Sequence, residues 1–387
     1  MFNKNNDYLN KFSEALQLCA FAGDTRNAKI LWLSSFTRHS NTPVSVLIKG
    51  SPGSGKSHLL NTVLKFIPED EYKSFTGISE KAIAYMGKYS LKNKILAIQE
   101  FSGLQNQEGN TLLRSLLSEN KIHYQTVVND ANNKFTTQQA SMEGPVALFM
   151  TTTEKSIHPE DENRMISLTV DESFGHKRNV IREKGRVFNQ GRGKLIDLSE
   201  FHAISAEYTD KIKEVYIPFV DALADKVNLE SQQILRDFDK ILSLIETHAL
   251  LHQEERETTS DKKVVATLSD YEVIWDLIEP VLETTSKKQI TNDIKKLVQV
   301  IKEHTECDLD ILNLKIKDLD KFNTSNSFLA EKLGMHESAA SRLCKKAKDL
   351  GLITNHEKNG NPAFYSVVRD PMMMDRVLPH PKELQSH

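Results

Sequence analysis

The chain has 387 residues and a formal net charge of −3, with 39% hydrophobic and 27% charged residues. This length suggests two or three domains, and this balance is typical of a globular protein. No apolar run approaches the roughly 18 residues that cross a bilayer, and the N-terminus is too polar for a signal peptide. The three cysteines, Cys19, Cys307 and Cys344, lack the spacing of a zinc site or a disulfide framework. We therefore expect a reduced, cytoplasmic, zinc-free protein without a membrane partner.

The first predicted elements are two helices within residues 7–39, where apolar side chains recur at helical spacing. From residue 44 to about residue 170, predicted strands and helices alternate, which is typical of an α/β fold. The predicted strands are Val44–Ile48, Tyr72–Phe75, Ile95–Gln99, Val146–Thr151 and Ile166–Val170.

A glycine-rich segment, KGSPGSGKS at residues 49–57, follows the first predicted strand and fits the pattern G-x-x-x-x-G-K-[ST]. Glycines let backbone N–H groups turn toward an anion, the lysine can neutralise phosphates, and the serine hydroxyl can bind Mg²⁺. The alternative is a Gly/Ser turn without a ligand. The pattern favours a site for ATP and Mg²⁺, with Ser57 as the metal ligand. The predicted nucleotide-binding residues of this segment are Gly50, Pro52, Gly53, Ser54, Gly55, Lys56 and Ser57.

Two polar residues, Gln99 and Glu100, end the third predicted strand. In a P-loop fold, we expect the strand next to the loop to present such residues toward the γ-phosphate. Glu100 is the predicted base that polarises the attacking water. Gln99 can hydrogen-bond a water on Mg²⁺ but brings no charge. The alternative is a strand that ends at polar residues without a catalytic role.

Two further candidates follow the later strands. The fourth strand ends in three threonines, and we choose Thr152 over Thr151 as the residue that reaches between the base and the γ-phosphate. Arg164 follows an acidic loop and precedes the fifth strand, from which it could reach the γ-phosphate of a neighbouring subunit. The plainer alternatives are ordinary strand-end threonines and a surface ion pair of Arg164 with Glu160 or Glu162.

Residues 121–144 form an insert with two arms rich in β-formers and a turn-like centre at residues 129–134. This pattern predicts a projecting β-hairpin after the predicted helix at residues 110–118. A basic, Gly-containing stretch at residues 175–193 then connects to a helical region. The predicted helices of that region are 212–227, 229–254, 268–282 and 287–303, and residues 257–264 are predicted as a loop or short hairpin.

The C-terminal segment SNSFLAEKLGMHESAASRLCKKAKDLGLI, residues 325–353, predicts a helix, a turn at Gly334 and a second helix. Asn359-Gly360 would then turn a hairpin, and the whole resembles a winged helix-turn-helix. Residues 321–369 hold eight Lys/Arg against four Asp/Glu, a local charge of +4. The predicted DNA contacts here are Arg342, Lys345, Lys346 and Lys358. The alternative is a winged helix that binds protein and whose basic face is merely solvated.

Taken together, the P-loop, the strand ending in Gln99-Glu100, the long hairpin insert, the TTT strand and the ENRM segment resemble AAA+ ATPases. The resemblance is to the minichromosome-maintenance (MCM) helicase branch, especially the MCM-like helicases of bacterial mobile elements. The segment RDFDKILSLIETHALLHQ, residues 236–253, is similar to the MCM lid helix. The sequence departs from the family at Gln99, where an aspartate is usual, and in lacking the typical MCM N-terminal domain.

The resemblance implies roles for individual residues. Lys56 and Ser57 would be the Walker A pair, and Glu100 the Walker B glutamate. Thr152 would match the sensor 1 region, Arg164 the arginine finger and Arg236 the sensor 2 arginine. The hairpin would reach DNA in the channel of a ring, with Lys134 near its tip.

The fold class implied is an AAA+ α/β parallel sheet with a helical lid, followed by a small winged helix-turn-helix domain. The expected parts are N-terminal helices at 1–40, the AAA+ core at 41–205 with the hairpin at about 121–144, the lid at 206–305, the winged helix at 306–370 and a flexible tail at 371–387.

The function implied is that of an ATP-hydrolysing DNA helicase or translocase in the replication of a mobile element. It would be a homo-oligomer, as a hexamer, with single-stranded DNA in its channel and duplex DNA at the winged helix. A separate primase or loader would be a partner. The main alternative is an AAA+ initiator, loader or regulator that uses ATP as an assembly switch without unwinding. A third is an ATP-dependent DNA-binding component of a transposition or defence system.

Overall fold

The computed structural model describes the chain in ranges separated by gaps. These are residues 7–78, 80–100, 107–129, 135–153, 159–189, 197–211, 213–229, 231, 233–289, 292–305, 324–355, 365–368 and 376–384. The chain divides into two compact units. The first comprises Met1–Asp225, Leu235–Val281 and His380–His387, and the second comprises Lys226–Ile234 and Leu282–Pro379.

The first unit begins with the two helices that the sequence predicts, α1 (Tyr8–Leu18) and α2 (Thr25–Phe36). Each starts after an aspartate whose carboxylate accepts hydrogen bonds from the N–H groups of the first turn, Asp7 for α1 and Asp24 for α2. Their apolar faces meet at Phe12 and Trp32, whose rings stack 4.8 Å apart. Burial of these large rings attaches both helices to the core.

The α/β part follows, with strands close to the predicted ones and helices between them. Its elements are β1 (Val46–Lys49), α3 (Lys56–Leu64), β2 (Tyr72–Phe75), α4 (Glu80–Ala84), β3 (Lys94–Ile98), α5 (Gln107–Glu119), β4 (Lys121–Asn129), β5 (Phe135–Glu143), β6 (Val146–Thr152), α6 (Pro159–Glu162), β7 (Ile166–Thr169) and α7 (Phe174–Asn189).

Among the described residues, five strands form one sheet in the order β2-β3-β6-β1-β7, and all neighbours in it are parallel. Every residue of β6 is buried, which is expected of a strand with neighbours on both edges and helices on both faces. The expectation that β3 lies next to the P-loop strand is wrong, because β6 stands between β3 and β1. Chain order does not determine lateral order, since helical crossovers can pass over a strand position. The carboxyl ends of all five strands still share one edge.

The predicted hairpin is present as β4 and β5, which pair in antiparallel register from Lys121↔Glu143 to Asn129↔Phe135. Burial decreases along it. Ile122 and Met142 at its base are 1% and 0% exposed, whereas Val127 is 62% exposed. The hairpin is therefore anchored at its base in the core that α4 and α5 share, and its far part extends away from that core.

The helical region after β7 contains more structure than the sequence predicts. The basic stretch predicted as a connection is the 16-residue helix α7, and α8 (Ser199–Asp210) follows it. Part of the predicted helix 212–227 is instead β8 (Val215–Tyr216), which pairs in parallel with β9 (Val264–Val265). The remaining elements of this region are α9 (Val220–Lys226), α10 (Ile234–Leu251) and α11 (Leu268–Gln289).

The second unit has its own core. Its elements are α12 (Asn292–Thr305), α13 (Asn326–Leu333), α14 (Glu337–Asp349), β10 (Ile353–Asn355) and β11 (Tyr365–Val367). Strands β10 and β11 are antiparallel neighbours, and Gly334 ends α13 with a φ of 65°. Ile294, Leu297 and Ile301 of α12 pack in the same core as Cys344 and Tyr365. Helix α12, predicted as part of the lid, thus belongs to this unit.

Residues 381–384, within the predicted flexible tail, form a short 3₁₀ turn in which Leu384 is 3% exposed. Burial of this leucine orders part of a segment whose prolines and lack of period predict no structure. In the described part of the chain, no helix combines the length and the apolar character needed to cross a membrane.

Candidate nucleotide-binding site

The P-loop connects the buried end of β1 to the first turn of α3, as the sequence predicts. Gly53 and Gly55 have φ values of 76° and 98°, in the region that other residues rarely adopt. A Cβ at either position would meet no atom within 4 Å, so the requirement for glycine is conformational and not one of space. These two glycines let the loop curl over the N-terminus of α3, where backbone N–H groups favour an anion.

Lys56 is the first residue of α3, and its side chain lies across the loop. Its Nζ donates hydrogen bonds to the carbonyl oxygens of Gly50 at 2.9 Å and Ser51 at 2.8 Å. Burial lowers the pKa of Lys56, while the nearby carboxylates of Glu172 and Glu100 act in the opposite direction. The ammonium is thus held within the concave side of the loop, close to two carboxylates.

The loop also contains a polar atom that lacks a protein partner. Ser54 Oγ is buried and, within the described residues, has no hydrogen-bond partner. Buried hydroxyls are almost always paired, so an unpaired one inside a phosphate-type loop fits a bound ligand oxygen. A Cβ on Gly50 would lie 2.5 Å from this hydroxyl, which explains the glycine there. Pro52 is exposed, and Ser57 is half-buried in the first turn of α3.

Gln99 and Glu100 lie at the carboxyl edge of the sheet, where their N–H groups donate to the carbonyl oxygens of Phe75 and Thr76. The amide of Gln99 donates to Asn61 Oδ1 of α3 at 2.9 Å. Glu100 is exposed, and its negative charge acts to raise the pKa of Lys56. Of these two residues, Glu100 is the one that offers a carboxylate, and Gln99 instead connects β3 to the P-loop helix.

Two threonines, Thr151 and Thr152, end β6. Thr151 Oγ1 donates a hydrogen bond to the carbonyl oxygen of Gln99, which fastens β6 to the end of β3. Thr152 is 1% exposed and lies opposite Lys49 in the register with β1. The choice of Thr152 over Thr151 stays a prediction.

Glu172 is a site residue that the sequence analysis missed. Its carboxylate accepts hydrogen bonds from the N–H of Ser51 at 2.6 Å and from its hydroxyl at 2.7 Å. Both bonds lower the pKa of Glu172, and the bond from the N–H has the larger effect. Glu172 follows the last strand of the sheet, β7, by three residues, and nothing in its local sequence distinguishes it. The parallel pairing of β7 with β1 brings it to the loop.

Arg164 contacts its own chain. Its guanidinium donates to Ser118 Oγ of α5 and lies 3.5 Å from Glu160 Oε1. The side chain is 16% exposed, and its Nε is buried without a partner in the described part of the chain. The alternative of a pair with Glu160 is therefore present, and a role toward a neighbouring subunit would require Arg164 to leave these partners.

Arg236 lies in the first turn of α10 and is exposed. Its neighbour Asp237 pairs with Lys240 at 2.9 Å, and both are buried. Lys240 Nζ also donates to the carbonyl oxygens of Asn163 at 3.0 Å and Met165 at 3.2 Å. Helix α10 is thus fixed to the segment that contains Arg164. Further along α10, His248 Nδ1 lies 2.7 Å from Asp270 Oδ1, a contact that joins α10 to α11.

A cavity of about 490 Å³ opens beside the P-loop. Its walls come from the loop after α1, the P-loop itself and the inner face of α7. Phe21 and His58 form an aromatic wall, with nearly parallel rings 5.9 Å apart. A volume of this order and an apolar, aromatic lining suit a small organic ligand.

The predicted DNA contacts are only partly described. Lys134 and Lys358 lie outside the described residues. Arg342, Lys345 and Lys346 are all exposed on α14, as the sequence predicts, while Cys344 on the same helix is buried. Burial raises the pKa of Cys344 to about 11, so this thiol is a core residue.

A metal site made only of protein side chains is not found among the described residues, which contain no group of three or more His, Cys, Asp or Glu suited to a metal ion. A P-loop site does not need one, because the nucleotide phosphates supply part of the ligand set of Mg²⁺. Ser57 and Glu100 are the residues predicted to offer oxygen atoms to such a metal and its water.

Comparison with known proteins supports the nucleotide site. No curated protein matches the chain. Residues 2–215, more than half of the 387, match the family model described as "MTBMA_p00010 P-loop domain". This range contains the P-loop, the five-stranded sheet of the described residues and the hairpin. With its parallel sheet and its P-loop geometry, the chain belongs to this P-loop domain family.

Proposed function

We propose that this protein is an AAA+ ATPase that assembles as a ring and moves DNA with the β4–β5 hairpin. The observation that carries the proposal is the combination of two features in one unit. The P-loop and Glu100 lie at the carboxyl edge of the sheet, and a hairpin anchored beside the same sheet extends away from the core. The first feature supports hydrolysis, and the second provides a lever.

The chemistry proposed is the attack of water on the γ-phosphate of ATP. When bound, Mg²⁺ would neutralise developing charge on the phosphates. Lys56 would exchange its two carbonyl partners for phosphate oxygens, and Ser57 would hold the metal. Glu100 would orient the attacking water and accept its proton. The aromatic wall at Phe21 would receive the base.

The site has one weakness for this chemistry. Gln99 replaces the carboxylate that the AAA+ resemblance implies, and its amide is bonded to Asn61. An amide adds no negative charge, so we expect weaker Mg²⁺ binding than with an aspartate.

The ring and the DNA contacts come from the resemblance to MCM-like helicases. In the proposed ring, Arg164 and Arg236 would complete a site shared by neighbouring copies, and single-stranded DNA would contact the hairpin. The C-terminal unit, with Arg342, Lys345 and Lys346 exposed on one helix, would act as a winged helix that binds duplex DNA. Such cationic contacts bind phosphates and depend on salt.

The alternative function is an ATP-dependent switch, such as an initiator or loader, that does not unwind DNA. The contacts of Arg164 with Ser118 and Glu160 favour it, because an arginine held in its own chain gives no catalysis to a neighbour. The hairpin favours the motor, because a switch does not need an extended β-loop.

The test is to measure ATP hydrolysis with and without single-stranded DNA, together with strand displacement from a forked duplex. We expect Lys56→Ala to abolish nucleotide binding. Glu100→Gln should retain binding but lower the rate of hydrolysis by about 100-fold or more, since general bases contribute about 10²–10⁴. The matched control is Glu69→Gln, an exposed carboxylate outside the site. A wild-type protein that hydrolyses ATP but displaces no strand on any substrate would rule out the helicase and leave the switch.

A further inference from the structure

Helix α7 exposes a row of apolar side chains for which the proposed function has no use. Phe174, Ile181 and Phe188 are 92%, 69% and 86% exposed. They are seven residues apart, so they lie on one side of the helix over about 21 Å. The opposite side, with Val180 and Val187, is half-buried and lines the cavity beside the P-loop. Single exposed apolar residues are common, but an aligned row with two phenylalanines is typical of a binding surface.

The same helix is strongly basic. It contains five Lys/Arg and one acidic residue, Glu183, in a chain whose net charge is −3. Glu183 pairs with Arg186 at 2.5 Å. The other four cations are exposed, and three of them lie beside the apolar row. At 100° per residue, Lys177 falls on one side of it, and Arg178 and Arg182 fall on the other. Lys184 lies further round the helix, where it lines the cavity beside the P-loop.

This pattern does not suit a partner helix. A helix in a groove needs apolar residues at positions i+3 and i+4 as well as i+7. After Phe174 these positions are Lys177 and Arg178, and after Ile181 they are Lys184 and Gly185. The apolar row is therefore too narrow for a coiled coil. It is also narrow for a membrane surface, where a broad apolar face must be buried.

Separate aromatic rings among cations do suit a single strand of nucleic acid. Bases stack on exposed aromatic rings without regard to sequence, and Lys and Arg contact the phosphates between them. We propose that the outer face of α7 binds single-stranded nucleic acid, with bases on Phe174 and Phe188 and phosphates on Lys177, Arg178 and Arg182. This surface uses residues other than those of the hairpin and of α14, and its binding does not require ATP hydrolysis.

The binding test uses fluorescence anisotropy of a labelled oligothymidylate of about 20 nucleotides with the full chain, over a range of salt concentrations and without ATP. We expect Phe174→Ala/Phe188→Ala to weaken binding about tenfold or more, because stacking contributes about 1–3 kcal/mol per base. Lys177→Glu/Arg178→Glu should also weaken binding. It should lower the slope of log affinity against log salt by about 1.4, since each lost phosphate contact of a single strand contributes about 0.7.

Matched controls remove similar groups elsewhere. Leu18→Ala/Leu235→Ala removes two exposed apolar side chains, and Lys92→Glu/Lys262→Glu reverses two exposed charges. Circular dichroism and thermal unfolding should be unchanged in the phenylalanine variant, since both rings are exposed. If the α7 variants bind the oligonucleotide as tightly as the controls do, the proposal is wrong.

Photocrosslinking gives a second, independent readout. Oligonucleotides with 5-iodouracil should crosslink to peptides that contain Phe174 or Phe188, also in the Lys56→Ala variant. Crosslinks confined to the hairpin or to α14 would overturn the proposal while leaving the proposed motor intact. The α7 variants could instead lose binding to vesicles of 70% phosphatidylcholine and 30% phosphatidylserine while they bind the oligonucleotide as the wild-type chain does. That result would overturn the proposal and indicate a membrane surface. Failure of strand displacement with intact crosslinking at α7 would count against the motor alone.

Discussion

The contacts of Arg164 matter because the proposed hydrolysis between subunits depends on this side chain. Its guanidinium is held by Ser118 and Glu160 of the same chain, and its Nε is buried without a partner in the described residues. A buried, incompletely paired guanidinium is costly. A nucleotide phosphate from a neighbouring copy would offer it a stronger partner than a serine hydroxyl does.

We predict that Arg164→Ala lowers ATP hydrolysis by about 10³-fold or more, since arginine fingers contribute about 10³–10⁵, while nucleotide binding persists. Mixing this variant with Lys56→Ala should restore part of the activity, because one variant supplies the P-loop and the other the arginine. The measurement is steady-state ATPase activity at several mixing ratios.

Ser118→Ala is the matched control for Arg164, since it removes the partner and leaves the arginine. If Ser118→Ala lowers activity as much as Arg164→Ala does, and mixing restores nothing, then Arg164 is a structural residue. The switch function would then be preferred.

The residues of the P-loop were predictable because their chemistry is local. The positions of Gly53, Gly55 and Lys56 follow from a pattern of eight residues that any strand and helix would arrange alike. Glu172 was not predictable, because it reaches Ser51 only through the pairing of β7 with β1. The unusual position of Gln99 was predicted, but its bond to Asn61 depends on how α3 packs on the sheet.

At the level of elements, the five strands of the parallel sheet were predicted to within two residues because most of them are short apolar runs between turn signals. Helix α7 was missed for a physical reason. It contains Gly175 and Gly185, it buries no residue, and so it lacks the broad apolar stripe by which helices are recognised. The lateral order of the strands also could not be predicted from local sequence, because it depends on how the connecting helices pack across the whole sheet.

The hairpin is the element on which the motor proposal depends. We predict that replacing residues 126–138 with Asn-Gly, which closes the paired Gln125 and Gln139 with a two-residue turn, leaves basal ATP hydrolysis within about twofold. The anchored base, with Ile122 and Met142, stays in place and keeps the core intact. Stimulation by single-stranded DNA and strand displacement should be lost.

The control for the shortened hairpin is Val127→Ala, measured in the same assays. This variant shortens one exposed side chain and keeps the whole hairpin. Full strand displacement by the shortened protein would show that the hairpin is not the lever.

At the scale of the whole molecule, the first unit contains a half-buried histidine, His39, and a buried one, His252, that oppose protonation. Burial, aided by the charge of Arg38, lowers the pKa of His39 to about 4. Burial, aided by His248 and Arg256, lowers the pKa of His252 to about 4. Since the ordinary value is 6.5, acid favours the unfolded chain, where these rings bind protons more readily.

We predict that the stability of the first unit is greatest above about pH 6.5 and falls as the pH is lowered toward 4. Each histidine should lower the free energy of unfolding by on the order of 2 kcal/mol at pH 5 relative to pH 8. The measurement is urea unfolding across this range. His39→Gln/His252→Gln should flatten the dependence, and His123→Gln, at an exposed position, should not. An equally steep dependence in the double variant would assign the effect to other groups.

The hydrogen bonds of Lys240 to the carbonyl oxygens of Asn163 and Met165 limit how Arg164 can change its partners. The buried ammonium of Lys240 hydrogen-bonds the carbonyl groups of the residues on both sides of Arg164. The Cα of Arg164 therefore cannot move outward unless these bonds to α10 break. Any exchange from Ser118 to another acceptor must then occur by rotation about side-chain bonds. A change of acceptor at Arg164 should therefore leave the backbone of residues 163–165 and its attachment to α10 unchanged.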